Sequence, residues 1–171
     1  MNPSSNEPAS LFLLCPASQL EPFIRQHVGQ HTYFLTALAS VFDVDNVPYA
    51  EALVDFLETN AIRELYVVQD LNCRFLRTVL SGVPGTGTAA ERVLQALYCT
   101  HFEYVMRTGT FRIQCYRLAR LHVLQQAEQL LANGLLQRAI GRNRIALRAM
   151  ICDKSTRLVE TIDLKPEGIC L

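Results

Sequence analysis

Residues 62–73 read IRELYVVQDLNC, and this stretch contains the clearest strand signal in the chain. β-Branched and aromatic residues are frequent in Ile62–Val68, which is typical of a buried strand. The mostly polar residues Gln69–Cys73 then lead into apolar residues at helical spacing, which are Phe75, Leu76, Val79 and Leu80. The stretch therefore predicts a strand that turns directly into a helix, with polar side chains at the junction.

Strands and helices alternate along the rest of the chain. Apolar or alternating runs predict further strands at 11–15, 33–42, 144–152 and 157–164. Helical periodicity predicts helices at 20–28, 47–59, 90–106 and 117–133. Gly134 follows the last of these helices and is expected to end it. The alternation predicts an α/β fold with a mainly parallel central sheet, flanking helices and a C-terminal antiparallel hairpin.

Length and composition indicate one folded domain. The chain has 171 residues, of which 50% are hydrophobic and 19% charged, and its net charge is zero. These values exclude general disorder and a highly charged nucleic-acid tail. We expect a single domain over 11–164, a disordered or extended N-terminus over 1–10 and a C-terminal tail over 165–171.

Apolar patterning and cysteine usage indicate a cytoplasmic protein. No apolar run reaches the roughly 18 residues that a membrane span needs, so no membrane association is expected. The polar start at 1–10 lacks the order of a signal peptide. Six scattered cysteines without a CxxC pair favour reduced thiols.

Charge is unevenly distributed along the chain. Residues 1–60 contain seven acids and one base, whereas residues 101–150 contain eight arginines and two acids. One interpretation is that the two segments meet within the fold or across a dimer. The other is an arginine-rich surface for anions or nucleic acid. The residues between the arginines are mainly Leu, Ala and Ile, which argues against a nucleic-acid partner.

Two thiols and a carboxyl group follow predicted strands. Cys15 ends the first strand, and Asp70 and Cys73 follow the strand at 62–68. Because ligands bind beyond the carboxyl ends of parallel strands, the three side chains are expected to converge. Thiolates and carboxylates are zinc ligands, and three of them leave a fourth position for water. The alternative is that Cys15 is a buried apolar residue and that Asp70 or Asn72 caps the next helix.

The histidines offer no competing metal site. The chain contains His27, His31, His101 and His122, and none belongs to an HExxH motif. Each is expected on the surface or on a helix face.

The order and spacing of these segments resemble the beta-class carbonic anhydrases. Residues 69–73 (QDLNC) are similar to that family's Gly-His-x-x-Cys, and residues 13–19 (LLCPASQ) to its Cys-x-Asp-Ser-Arg. Residues 122–132 (HVLQQAEQLLA) and the predicted hairpin are similar to its last helix and strands. The resemblance covers most of 11–164 and implies a beta-carbonic-anhydrase-like fold.

The resemblance also implies a zinc site. Cys15 and Cys73 match the family's two thiolate ligands, and Asp70 matches its histidine ligand. The net charge of such a site, −1, would leave bound water less acidic than a neutral imidazole ligand would.

Other matched positions depart from the family. Ala17 and Gln19 stand where the family has the aspartate and arginine that orient the zinc-bound nucleophile, so the chain is expected to lack those catalytic groups. Gln69 and Arg74 occupy two glycine positions and are expected to line the site.

The functional expectation is therefore a carbonic-anhydrase-like protein with a degenerate site. Weak or no CO₂ hydration is expected, and the protein would act by binding or assembly. The expected partners are a second copy, in a homodimer or a higher even oligomer, or an active family member. Two alternatives stay open: an active zinc lyase or related small-molecule hydrolase with a Cys₂Asp site, and the arginine-rich anion or nucleic-acid binder.

Overall fold

The computed structural model describes residues 8–29 and 31–164. Its five strands form one sheet in the order β2-β1-β3-β4-β5, in which the first four are parallel and β5 runs antiparallel to β4. The strands are β1 (Ala9–Leu14), β2 (Thr32–Thr36), β3 (Ile62–Asp70), β4 (Ala146–Asp153) and β5 (Leu158–Asp163). The predicted α/β fold with a mainly parallel sheet and an antiparallel C-terminal pair is confirmed.

Seven α-helices accompany the sheet within the described ranges. They are α1 (Glu21–Val28), α2 (Val47–Thr59), α3 (Arg74–Ser81), α4 (Ala89–Thr100), α5 (Phe102–Met106), α6 (Phe111–Ala132) and α7 (Gly134–Arg142). None of these helices is both long and apolar enough to cross a membrane.

Alternation along the central strands separates two apolar cores. Leu11, Leu13, Leu65 and Val67 face the larger core, which contains residues from α2 to α7. Phe12, Leu14, Tyr66 and Val68 face a smaller core that α1 covers with Leu20 and Ile24. Successive side chains of a strand point to opposite faces, so the position of a residue in β1 or β3 determines its core.

The predicted ends of the domain lie partly outside the described residues. Residues 1–7 and 165–171 are not described, whereas Ala9 and Ser10 form the start of β1. Residues of all five strands belong to the two apolar cores or pack against them. The residues that pack against the larger core extend along the chain from Ala9 to Leu164.

Three predicted elements have different bounds in the structure. The strand predicted at 33–42 ends at Thr36, because a 3₁₀ turn with left-handed backbone follows at Leu38–Ser40. The helix predicted at 90–106 is two helices that meet at His101. The helix predicted at 117–133 begins at Phe111, since the Thr110 side chain caps its N-terminus.

α6 ends at Ala132 with Asn133 as its C-cap, directly before Gly134 as predicted, but Gly134 also begins a helix, α7, that was not predicted. Asn133 lies between α6 and α7, and its side-chain Oδ1 accepts from the N–H groups of Leu135 and Leu136 at 3.0 and 3.1 Å. Its Nδ2 donates to the Val44 carbonyl at 2.7 Å. Asn-Gly therefore starts α7 here, with Asn133 as the N-cap and Gly134 as the first helical residue.

We predict that Asn133→Ala lowers the free energy of unfolding by about 2 kcal/mol, because it removes an N-cap and a partly buried hydrogen bond to the Val44 carbonyl. Asn133→Asp keeps the accepting oxygen and loses less. Gly134→Ala is a control: an added Cβ would meet only the Arg138 side chain, at 3.4 Å, so this variant keeps or gains stability. Urea unfolding of the three variants measures the differences. A loss in Gly134→Ala as large as in Asn133→Ala would contradict this assignment.

Candidate thiol site

Cys15 and Cys73 come together at the carboxyl edge of the sheet. Cys15 directly follows β1, and Cys73 is the N-cap residue of α3. Both side chains are buried in the larger core, at 2% and 1% exposure. Each thiol is the largest cause of the other's pKa shift, so the two side chains are neighbours. The fold thus pairs the two thiols that the sequence placed after separate strands.

The turn Leu38–Ser40 provides a backbone donor to the Cys15 sulfur. The Ala39 N–H donates to Cys15 Sγ at 3.2 Å. The backbone groups of Ala17 and Ser40 also lower the pKa of this thiol. Ala39 and Ser40 have φ values of 54° and 57°, in the left-handed region that favours glycine. Such backbone costs about 1–3 kcal/mol per residue, so the surrounding contacts must hold it in place.

The two thiols have opposite pKa shifts. The Cys73 thiol lowers the pKa of Cys15 most, burial opposes that change, and the backbone donors add to it, with a result of about 6. The pKa of Cys73 is raised, first by Cys15 and then by burial. The first proton therefore leaves the pair more readily than it leaves an isolated thiol, and the second leaves less readily.

Asp70 lies on the other face of the sheet from the two thiols. It follows Tyr66 and Val68 in the alternation of β3, and its side chain is buried. Its Oδ1 accepts from the Asn72 N–H at 3.0 Å. Burial raises the pKa of Asp70, while the Asn72 N–H and the charge of Lys154 oppose the rise. In residues 8–29 and 31–164, no group of three or more His, Cys, Asp or Glu side chains is placed to hold a metal ion.

Gln69 lies beside the thiol pair. It shares the face of Leu65 and Val67, and the pairing of Leu13 with Val67 places Cys15 next to Gln69 when the register continues. Its Nε2 donates to the Asp70 carbonyl at 3.2 Å. Its buried Oε1 has no hydrogen-bond partner among the described residues.

The other positions singled out by the resemblance are exposed. Arg74 places its guanidinium over the Phe75 ring, 4.7 Å from the centroid. Ala17 and Gln19 belong to the turn after β1. The Gln19 carbonyl accepts from Lys154 Nζ at 3.4 Å, which joins this turn to the β4–β5 hairpin.

His122 is fully buried on a helix, whereas the sequence predicted it on the surface or on a helix face. It lies on α6 at 0% exposure, and its Nε2 donates to the Ala39 carbonyl at 2.8 Å. Its Nδ1 has no partner among the described residues. Burial lowers the pKa of His122 to about 4, so the imidazole is neutral at physiological pH. Its position four residues after Leu118 was the available signal, because that spacing continues the apolar face of the helix.

Most arginine side chains of the segment 101–150 pair with groups of the same chain. Arg112 pairs with Asp153 at 2.7 Å, Arg120 with Glu160 at 3.9 Å, and Arg142 with Glu58. Arg117 donates to the carbonyls of Val105, Arg107 and Thr108, and Arg148 pairs with Glu64 and Asp163. The Arg142–Glu58 pair joins the basic segment to the acidic one, as the first interpretation of the charge distribution expects.

Comparison with known proteins identifies the fold. No family model matches the sequence, and no curated protein does. Among solved structures, the wild-type β-carbonic anhydrase CafD of Aspergillus fumigatus is 18% identical over 92% of this chain and 91% of that chain, with a TM-score of 0.74. One of two tetrameric β-carbonic anhydrases from Sordaria macrospora is 13% identical over 90% and 80%, with a TM-score of 0.76. The Coccomyxa β-carbonic anhydrase in complex with acetazolamide is 14% identical over 91% and 74%, with a TM-score of 0.72. The chain therefore has a β-carbonic-anhydrase-like fold.

We predict that His122 makes stability depend on acid pH. The unfolded chain takes up a proton near pH 6.5, whereas the folded chain takes it up only near pH 4. The free energy of unfolding therefore falls as the pH is lowered through this window, by up to about 3 kcal/mol at about 1.4 kcal/mol per pH unit. His122→Gln keeps an N–H for the Ala39 carbonyl and removes this dependence. Urea unfolding of both proteins at pH 7 and pH 4 measures it, and parallel losses would contradict the assignment.

Proposed function

We propose that this chain is a carbonic-anhydrase-like protein that does not hydrate CO₂ and that acts by binding or assembly. The observation that carries the proposal is the direction of Asp70, whose carboxyl group lies across the sheet from the Cys15–Cys73 pair. Asp70, at the position that matches the family's histidine ligand, is instead hydrogen-bonded to the Asn72 N–H.

The chemistry of zinc hydration explains why this direction matters. A catalytic zinc ion needs three protein ligands and one open position for water. Cys15 and Cys73 supply two thiol ligands, and among the described residues no third His, Cys, Asp or Glu side chain joins them. The donor set does not fit such a site.

An active zinc site would require the end of β3 to rotate. Asp70 would have to leave the Asn72 N–H, 3.0 Å away, and cross to the face of a thiol pair in which the pKa of Cys15 is lowered. Like charges in a buried position repel each other, so this rotation is unfavourable without a cation. Ala17 and Gln19 also provide neither carboxylate nor guanidinium to orient a nucleophile.

The β2 edge supports assembly with a second copy. Within the described ranges β2 pairs with β1 alone, so its outer backbone groups are available to another strand. Beside it, Phe34, Tyr49 and Phe56 line an apolar cavity of about 160 Å³. The exposed rings of Tyr33 and Phe56 pack edge to face, 5.4 Å apart. We infer a homodimer or a higher even oligomer that covers this surface; an active family member is the alternative partner.

We predict that zinc-supplemented protein hydrates CO₂ no faster than buffer. We also expect that Asp70→Asn leaves the zinc content per chain unchanged and changes the free energy of unfolding by no more than about 0.5 kcal/mol. Asparagine keeps the Oδ1 that accepts from Asn72, so the turn is retained. Stopped-flow CO₂ hydration and the zinc content per chain are measured for the wild type and for Asp70→Asn. Cys15→Ser is the matched control that removes a thiol. Turnover in the wild type that Asp70→Asn abolishes would establish the active zinc enzyme instead.

We predict that Phe56→Glu weakens self-association at least about tenfold, because a buried carboxylate would replace an apolar ring at the interface. Sedimentation velocity over a range of concentrations measures the change. Phe102→Glu is the control, since Phe102 is 51% exposed on α5 and does not line the cavity. A monomeric wild type, or equal effects of the two variants, would rule out self-association through this surface.

A further inference from the structure

A cleft lies between the segment that follows β2, the start of α4 and the C-terminal half of α6. Its volume is about 470 Å³, compared with about 160 Å³ for the cavity beside β2. Most of its wall is apolar: the segment after β2 contributes Val41, Phe42 and Val44, and α4 contributes Ala90 and Val93. Apolar clefts of this size with a few polar groups are typical binding sites for small molecules.

Hydrogen bonds to α6 and to its C-cap residue hold the segment after β2 in place. The Phe42 N–H donates to Gln126 Oε1 at 3.1 Å, and Gln126 Nε2 donates to Gln129 Oε1 at 2.9 Å. The Val44 carbonyl accepts from Asn133 Nδ2 at 2.7 Å. This wall of the cleft is therefore fixed at two points before any ligand arrives. Such preorganisation lowers the entropic cost of binding.

Two aspartates give the cleft a negative charge. Asp43 and Asp45 line it and are exposed, whereas Phe42 and Val44, which alternate with them, are buried. Neither aspartate forms a salt bridge with another residue of the described ranges. Residues 26–62 contain five acids and no Lys or Arg, so the neighbouring sequence adds no compensating cation. A cation is therefore the charge that this cleft attracts.

We propose that this cleft binds an organic cation in which an ammonium group is attached to a compact apolar body. The apolar body lies against Phe42, Val44 and Val93, where its burial removes apolar surface from water. The ammonium group lies at the rim, where the carboxylates of Asp43 and Asp45 accept from it. A neutral molecule of the same shape lacks this attraction, and an anion is repelled. The proposal goes beyond the proposed function, because the cleft includes neither the thiol pair nor the β2 surface.

Three probes of similar shape separate the effect of charge from that of apolar contact. At pH 7 benzylamine is a cation, benzyl alcohol is neutral and benzoate is an anion. Each probe is titrated at low ionic strength into the full wild-type chain, and two-dimensional NMR follows the backbone amide shifts. We expect shifts at residues 41–45 and 89–93. Benzylamine is expected to bind at least about tenfold more tightly than benzoate, and added salt is expected to weaken its binding.

Substitutions test which groups of the cleft act. The double variant Asp43→Asn, Asp45→Asn keeps the side-chain shapes and is expected to weaken benzylamine binding at least about fivefold while leaving benzyl alcohol unchanged. Val93→Trp fills part of the cleft and is expected to weaken both probes. Asp55→Asn is the matched control, because Asp55 is an exposed acid on α2 outside the cleft, and it should leave both affinities unchanged.

Circular dichroism checks that each variant is folded. If Val93→Trp is not, the wild-type titrations and the aspartate variants decide the outcome. Absence of benzylamine binding at millimolar concentration would overturn the proposal, as would benzylamine that binds no more tightly than benzoate. Shifts confined to the surroundings of Phe34 and Phe56 would also overturn it, since the cation would then occupy the β2 cavity.

These outcomes are separate from those that test the proposed function. Hydration of CO₂ by the zinc-supplemented chain would overturn the proposed function and leave the cation site intact. Loss of the charge preference among the three probes would overturn the cation site alone.

Discussion

Side-chain alternation along β3 determines how the rest of the site is built. β3 is the central strand, and it pairs with β1 on one side and with β4 on the other. Because successive residues point to opposite faces, Gln69 joins the larger core with Val67, while Asp70 joins the face of Val68. The strand continues to Asp70, which pairs in register with Cys152, and so Asp70 cannot turn freely toward Cys15. One more or one fewer residue in this strand would exchange the two faces.

The left-handed turn after β2 is the second constraint, and its neighbours compensate its cost. The Ala39 N–H contacts Cys15, the Ala39 carbonyl accepts from His122 at 2.8 Å, and the Ser40 hydroxyl donates to the Val68 carbonyl at 2.9 Å. Each hydrogen bond contributes about 1 kcal/mol, which is comparable to the strain of one such residue. The turn thereby links β1, β3 and α6 around one sulfur atom. The same contacts explain why β2 stops at Thr36 although apolar residues continue to Phe42.

Periodicity in the sequence was sufficient for the fold. It predicted the strand at 62–68 and the helix at 47–59 with its Asn46 cap, and both are present in the structure. The rule for the carboxyl edges of parallel strands led to the expectation that Cys15 and Cys73 lie close together. The direction of Asp70 could not be derived, because it depends on β3 extending to residue 70 beyond the last β-branched residue, Val68. Helix α7 was not predicted because Asn-Gly has the residue types of a helix end, and only the structure shows that the Asn133 side chain accepts from the N–H groups of Leu135 and Leu136 and so also begins a helix.

Polar contacts around the turn after β3 hold the residues next to Asp70 in place. Asp153, at the end of β4, accepts from the Asn72 side chain at 2.9 Å and pairs with Arg112 at 2.7 Å, so the residues after β3 are tied to the hairpin. Lys154, the next residue, lies where its charge stabilises ionised Asp70. Moving the carboxylate to the thiol face would break the Asn72 N–H bond, remove it from this cation and bring it toward Cys15, whose pKa is lowered. The Asn72 N–H and Lys154 therefore favour the carboxylate where it lies, while burial and the charge of Asp153 oppose them.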